Sequence, residues 1–474
     1  MAEAIIRKHL LSIVGYLVVV CSIAYFAINR YLVYRRLKQF KGPWIAAVSK
    51  LWMVKSTYRG TMHLDVADAC RRYGHIARIS PNDLVTDDYE ILRRMSAVRS
   101  PYTRSDWYDG TSFDHKLDHV FSERNEARHL DLRSRMTSGY SGKENSHLEE
   151  CVDNRLLDLF KLIHDNYMSS KSALRPVDFA RITQYLSLDV ISDVSFGEPF
   201  GFLTKDEDVH EYIKMQRALL PVFEWFSTLP SLNRLIRIGW ISRLVMPSPE
   251  DKTGVGKLMG IAKQIVARRF GPERIERKDM LGSFISHGLS QREAEIEAVL
   301  QIMAGSDTTV TALRTITLFI ITQPRVYTAL QSELDAATCT NRLSNPIARH
   351  SETLELPYLQ ACIKEGLRIW PPVMGLMQKT VPPGGDTLNG QFVPAGTNIG
   401  YCAWGVHRNK EVFGGDADIY RPERWLGVEE ERLARMHKVG DLVFGSGRYG
   451  CLGKPIALLE ISKALAEVCY AQDI

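Results

Sequence analysis

From Ser290 to Pro324 the chain keeps a helical pattern, opened by Ser290 and Glu293 at the spacing of a capping box. A helix of that length runs on the order of 50 Å at ~1.5 Å per residue, enough to cross a whole domain. The rest of the chain must wrap around it, and 474 residues with 45% hydrophobic content supply the material. Near its middle stands Ala304-Gly-Ser-Asp-Thr-Thr309. Gly, Ser, Asp and Thr all weaken a helix, and Ser and Thr hydroxyls bond back to carbonyls, so a local widening is predicted there. A widened helix makes space beside a bound ligand. Taken alone, the same string reads as a polar patch that a helix tolerates.

A second stretch, Leu442-Val-Phe-Gly-Ser-Gly-Arg-Tyr-Gly-Cys-Leu-Gly-Lys454, carries a thiol. Gly445, Gly447, Gly450 and Gly453 allow tight turning, Arg448 lies three residues before Cys451, and an apolar helical run follows. The sulfur therefore stands where a loop enters a helix N-terminus, where N–H groups and the helix dipole favour a thiolate. A buried structural cysteine is the plainer reading. The run from Gly445 to Gly450 also spells G-x-G-x-x-G, with strand-like Leu442 to Phe444 before it and Asp473 about twenty residues on. The stretch left before Ile474 is too short for the parallel sheet of a dinucleotide fold, which argues against that alternative.

The pattern F-x-x-G-x-R-x-C-x-G, met by Phe444, Gly447, Arg448, Cys451 and Gly453, resembles the cysteine loop of the cytochrome P-450 family. The resemblance implies that Cys451 is the axial ligand of haem iron. Ala304 to Thr309 is similar to the family's A-G-x-D/E-T-T signature. It implies that Asp307 and Thr308 deliver protons during dioxygen activation, and that Ala304 and Gly305 leave room for the oxygen. Glu365-Gly-Leu-Arg368 and Pro422-Glu-Arg-Trp425 resemble the family's E-x-x-R and P-E-R segments, implying a buried structural lock of Glu365, Arg368 and Arg424 behind the cysteine loop. On the basic helix Arg124 to Met136, His129 and Arg133 stand where many members place Trp and Arg against a haem propionate; in isolation such a helix reads as a solvated basic face. Lys379 stands where the family often has a haem-directed arginine. Phe444 and Arg448 complete the implied cofactor contacts.

Leu10 to Ile28 is an uncharged apolar run of membrane-spanning length, followed by Arg30, Arg35, Arg36, Lys38 and Lys41. This predicts an uncleaved single-span anchor (residues 1–40, span about 10–28) with the bulk of the chain in the cytosol, joined through a Lys41-Gly-Pro-Trp44 hinge to a catalytic domain over 41–474. Helix signals follow from Thr61 to Tyr73, ended by Gly74, then a hairpin of His75 to Ile79 with Leu84 to Thr86. Ser96 to Glu123 is a long loop, which in the resembling family roofs the substrate pocket. Pro221 to Leu235, with Phe223, Trp225 and Phe226, reads as core packing or as a lid. Turns are predicted at Pro382 to Gly385 and at Asn389-Gly390. The net charge of +5 is scattered, so nucleic acid is not suggested. The eight cysteines include no C-x-x-C pair, which leaves zinc and iron–sulfur clusters without ligand spacing and fits a reducing compartment.

The combined expectation is a mainly α protein with small β-sheets (α+β), the cytochrome P-450 fold, preceded by one transmembrane helix. Met136 to Asn145 and Arg175 to Ala180 look similar to fungal members of the pisatin demethylase-like group. The resemblance implies a haem-thiolate monooxygenase in the endoplasmic reticulum membrane, its catalytic domain facing the cytosol. It would use O2 and electrons from an NADPH-cytochrome reductase to oxidise an apolar small molecule of fungal secondary metabolism. A haem-thiolate isomerase or dehydratase would share Cys451 but need no proton delivery, and a membrane lipid carrier would need no haem. Only Leu452 to Ile474 follow the sulfur, where the family continues into a hairpin that returns to the pocket; a truncated product lacking that hairpin is therefore also expected.

Overall fold

The structure, a computed structural model, describes residues 2–114 and 116–470, with side chains described for residue 9 and from 13 onward. Asp473, used in the dinucleotide reading, lies outside the described residues, as does the rest of 471–474. Helix α1 (Ala2–Arg36) contains one stretch, Ile13–Arg36, long and apolar enough to cross a membrane. It continues past the predicted end at Ile28, and the connection to the rest of the chain is not a free tether. Leu37 and Phe40 are buried, and the buried Arg78 donates to the carbonyls of Val33 and Tyr34, each at 3.2 Å, capping the end of α1.

Helix α2 (Met62–Tyr73) ends at Gly74, whose φ of 106° lies in the region that favours glycine. Strands β1 (Ile76–Arg78) and β2 (Asp83–Thr86) form the expected antiparallel hairpin. The sheet is completed by β3 (Thr103–Arg104), whose partners come from the far end of the chain. Helices α3 (Glu126–Tyr140), α4 (Leu148–Leu162), α5 (Phe179–Phe196), α6 (Tyr212–Thr228), α7 (Gln291–Ile321) and α8 (Pro357–Ile369) follow. Then come β4 (Lys379–Thr380), the hairpin β5 (Asp386–Leu388) and β6 (Gln391–Val393), β7 (Asn398–Tyr401) and α9 (Lys454–Tyr470). The five-stranded sheet runs β1-β2-β7-β4-β3, with β2 and β7 parallel and the other pairs antiparallel. In the separate hairpin Leu388 faces Gln391, so Asn389-Gly390 is a two-residue turn with φ of 47° and 75°.

Helix α7 is the axis of the core. Ile302, Val310, Ile316 and Ile320 are fully buried, and α5, α8 and α9 pack around it. Its capping box is formed as predicted, Ser290 Oγ accepting from Glu293 N and Glu293 Oε2 from Ser290 N. The predicted widening at Ala304 to Thr309 does not occur. The helix stays α-helical from Gln291 to Ile321, and the hydroxyls of Ser306 and Thr308 bond the carbonyls of Ile302 and Ala304 four residues back (2.8 and 2.9 Å). They are satisfied without opening the ladder.

Two carboxyls inside this core, Glu297 and Glu460, have no ion-pair partner among the described residues. Glu297 on α7 accepts from Val120 N at 2.6 Å, and Glu460 on α9 faces Ser187 of α5; burial pushes both up to about 8. Because these folded-state values lie above the ordinary carboxyl value, their contribution to stability is complete at acid pH and is lost as pH rises through about 8. The melting temperature is expected to fall between about pH 5 and about pH 8, and Glu460→Gln should flatten that slope. Identical slopes for the two proteins would contradict the assignment.

Candidate active site

The site is built from a loop meeting a helix. Leu442 to Phe444 is not a strand but part of a 3-10 turn, Asp441–Phe444, which removes the element that the dinucleotide reading needs. A second turn, Gly447–Tyr449, leads to Cys451, whose N–H donates to Phe444 O at 2.7 Å. Gly447 is required here: its φ is 57°, and a Cβ would meet Ser96 O at 2.0 Å. The Cys451 side chain is solvent-accessible within a protein-walled recess. Burial raises its pKa, opposed by the N–H groups of Gly453 and Lys454 and by the charges of Arg133 and Lys454. The donors at the start of α9 are thus aimed at the sulfur, the arrangement that favours a thiolate. The Phe444 side chain lies under the Lys454 ammonium, 5.4 Å away.

Arg133 donates to Gly450 O at 2.6 Å, tying α3 to the cysteine loop. Arg448 turns away from the sulfur and donates to Tyr102 O, with Glu126 Oε2 3.5 Å from its Nε. His129 is 1% exposed and its ring lies 5.4 Å from that of Tyr449. Burial, reinforced by Arg104, Arg133, Lys379 and Arg448, pushes it down to about 3, so it enters the site as a neutral ring rather than a cation. Lys379 is buried, donates to the Tyr108 hydroxyl at 2.8 Å and lies 3.9 Å from the centre of the Tyr449 ring. Burial holds its ammonium well below the usual lysine range.

The sequence reading missed Arg104. It sits in β3 directly opposite Lys379 of β4, between the rings of Tyr108 and Tyr449 at 4.9 Å from each, and donates to the carbonyls of Val120 and Glu123. No local motif marks it, since the ladder that places it joins segments more than 250 residues apart. Arg104, Arg133, Lys379 and Arg448 therefore gather around one buried histidine. Glu126 faces them, binding Tyr449 Oη at 2.6 Å and Arg104 N at 3.1 Å. Among the described residues, His129 Nδ1, Arg104 Nε and Arg448 Nε have no hydrogen-bond partner in the protein.

On α7, Ala304 is exposed although Gln301 to Met303 are buried, so the unbroken helix presents an uncovered face at this residue. Thr308 is half-buried beside it. Gly305 does not share the role expected for it. A Cβ on Gly305 would meet Ile191 of α5 at 2.7 Å, so the room it leaves is taken by that side chain and lets α5 and α7 approach. Asp307 turns toward α5 and α6, where it accepts from Gln184 Nε2 at 3.3 Å and Gln216 Nε2 at 3.1 Å. Trp107 and Tyr108 are both buried, Trp107 lies against Gly375, and Gly110 packs against Ser227 of α6. Phe223, Trp225 and Phe226 are half-buried. A cavity of 230 Å³ beside them is lined by Met62, His63, Glu224, Met374 and Gly375, among others.

Behind the cysteine loop, Glu365 is fully buried and accepts five bonds: from Arg368 Nε and Nη2 (2.8 and 2.7 Å), Arg424 Nε (3.2 Å), Trp425 Nε1 (2.9 Å) and Arg421 N (2.9 Å). Arg368 donates in turn to the carbonyls of His407, Ala417 and Ile419, and Arg424 to those of Phe413, Asp416 and Ile419. Removing one partner leaves uncompensated buried charge. Glu365→Ala is expected to cost about 3–5 kcal/mol in denaturant unfolding and to yield protein that does not retain haem. A loss below about 1 kcal/mol would contradict the assignment.

These residues fit the haem that the resemblance implies. A cysteine Sγ faces backbone donors, a cationic cluster with unpartnered N–H groups suits the two propionates, and α7 leaves Ala304 uncovered. The comparisons with known proteins point the same way. A family model described as Cytochrome P450 matches residues 41–469. The chain is 41% identical over 456 residues to Cytochrome P450 monooxygenase ABA1 of Pyricularia oryzae (95% of this chain, 89% of that protein). It is 36% identical to Cytochrome P450 monooxygenase aba1 of Botryotinia fuckeliana (92% and 86%). It is 29% identical to Pisatin demethylase of Fusarium vanettenii (98% and 88%).

Proposed function

Because the chain belongs to the cytochrome P450 family, we propose that it is a membrane-anchored haem-thiolate monooxygenase placing one oxygen atom of O2 into an apolar small molecule of fungal secondary metabolism. The observation that carries this reading is the accessible Cys451 thiol, met by the N–H groups of Gly453 and Lys454 at the start of α9. Haem bound there supplies the redox chemistry that activates dioxygen, with thiolate donation favouring O–O cleavage. The two helix N–H groups and Arg133 favour the anionic form of the sulfur against the burial that raises its pKa. Arg104, Arg133, Lys379 and Arg448 take the propionates, and His129 offers a neutral ring N–H.

The proton work falls to α7. The Thr308 hydroxyl donates to Ala304 O, which leaves its lone pairs free to accept a hydrogen bond and so hold a water. Asp307 is a carboxylate one residue away that accepts from two amides and can pass a proton inward. The roof of Trp107, Tyr108 and α6 excludes bulk water from the reacting atoms. The apolar helix α1 supports placement in the endoplasmic reticulum membrane, where an NADPH-cytochrome reductase supplies electrons and apolar substrates partition.

Two experiments test this. Reduced protein with carbon monoxide should give the red-shifted Soret band of a thiolate ligand, and Cys451→Ser should lose it; bound haem without that band would sink the assignment. With substrate, NADPH and reductase, Asp307→Asn is expected to lower product formation about 10²-fold. Turnover that needs neither NADPH nor reductase would point instead to an isomerase or dehydratase.

A further inference from the structure

Asp307 is held in an unusual way for a carboxylate inside a core. Among the described residues no Lys or Arg pairs with it directly; both of its oxygens accept from neutral amides, Gln184 of α5 and Gln216 of α6. These glutamines are 4% and 5% exposed. Gln184 is itself fixed, since its Oε1 accepts from Arg314 Nη2 at 3.1 Å. Arg314 lies two turns along α7 and is anchored on Thr183 Oγ1 and Ala180 O. Gln216 has no such support: its Oε1 is buried with no hydrogen-bond partner among the described residues. Its position is set by α6 alone.

Helix α6 meets the centre of α7 through few polar contacts. One turn before Gln216, Tyr212 Oη lies 3.0 Å from Ser306 Oγ and 3.4 Å from Ile302 O. Pro221 interrupts the same helix, and its far end packs over the turn that carries Trp107 and Tyr108. One side of the Asp307 clamp is therefore rigid and the other rides on the helix that covers the pocket.

We propose that Gln216 is a positioning residue that makes the orientation of Asp307 depend on α6: when α6 is seated on α7 the carboxylate is held by two amides, and when α6 lifts only Gln184 holds it. This rests on the reading that Asp307 passes a proton inward. Proton delivery is then tuned to the closed pocket, because the same helix that excludes water completes the clamp. No new bond chemistry is involved. The productive reaction remains RH + O2 + NADPH + H⁺ → ROH + H2O + NADP⁺, and its failure is O2 + NADPH + H⁺ → H2O2 + NADP⁺.

The test uses the full-length haem-loaded protein with its reductase. Gln216→Ala removes the donor, and Gln216→Glu replaces it with an acceptor of the same size that repels Asp307. Both are expected to raise the hydrogen peroxide formed per NADPH several-fold, with KM for substrate changing less than kcat. Independently of turnover, hydrogen–deuterium exchange over residues 302–312 should quicken about fivefold to tenfold in haem-loaded and haem-free protein alike. Tyr212→Phe, which removes the bond to Ser306 and leaves both amides on Asp307, should keep the wild-type peroxide yield. Wild-type exchange and peroxide yield in both Gln216 variants would overturn the inference. So would a Tyr212→Phe phenotype equal to theirs, which would mean general loosening of α6. Asp307→Asn separates the two levels: if it leaves product formation unchanged, the proton-delivery reading fails, while the exchange measurement still decides whether Gln216 holds this carboxylate.

Discussion

The carboxylate of Glu365 is the point on which the cysteine side of the molecule depends. A buried charge of this kind is costly to desolvate, and only the five donors around it make it tolerable. Their consequence is geometric. Arg368 and Arg424 spend their remaining N–H groups on carbonyls between His407 and Ile419, so a loop-rich segment acquires the fixed backbone that a sheet would otherwise provide. Trp425, bonded to Glu365, presents its ring to Gly440, and the chain runs from there through Leu442 and Phe444 to Cys451. The buried ion network on α8 thus fixes the segment that leads into the cysteine loop, whose own contacts, such as Cys451 N–H on Phe444 O, place the thiol.

Charge is arranged oppositely on the two sides of the site. Around His129 the protein concentrates four cationic side chains and answers them with little besides Glu126, so burial and mutual repulsion drive His129 and Lys379 toward their neutral forms. Such a cluster suits a ligand bearing two carboxylates, which would relieve the repulsion. Around Asp307 the hydrogen-bond partners are neutral amides, and the Arg314 charge acts on it from two turns along α7. The contrast separates a buried cationic cluster from an amide-held carboxylate.

Much of the fold was legible because it is local. The capping box at Ser290 and Glu293, the stop at Gly74 and the Asn389-Gly390 turn each depend on residues within a few positions of one another. The two departures have equally plain causes. Leu442 to Phe444 has strand-forming residues but no strand beside it to complete a ladder, so it closes on itself as a 3-10 turn. Ala304 to Thr309 has helix-weakening residues, but its hydroxyls find carbonyls within the same helix and tight packing against α5 holds the ladder shut. The apolar run after Leu10 announced a helix long and apolar enough to span a membrane, whereas its junction with the rest of the chain depends on Arg78, which no local pattern connects to Val33 and Tyr34.

By itself the sequence determined the local motifs on which the family resemblance rests: a cysteine at a glycine-rich entry to a helix, an acid and a hydroxyl side by side on a long helix, and an E-x-x-R pair one turn apart. These follow from spacing along one helix or one loop, where 3.6 residues per turn and the freedom of glycine decide what faces what. The tertiary structure decided which residues complete each group. Arg104 opposite Lys379 comes from strand register, Gly305 serves Ile191 because two helices cross there, and Gln184 and Gln216 reach Asp307 from separate helices. Contacts of this kind join positions roughly a hundred or more residues apart, and no local periodicity records them; only the packing of helices around α7 brings those side chains within hydrogen-bond distance.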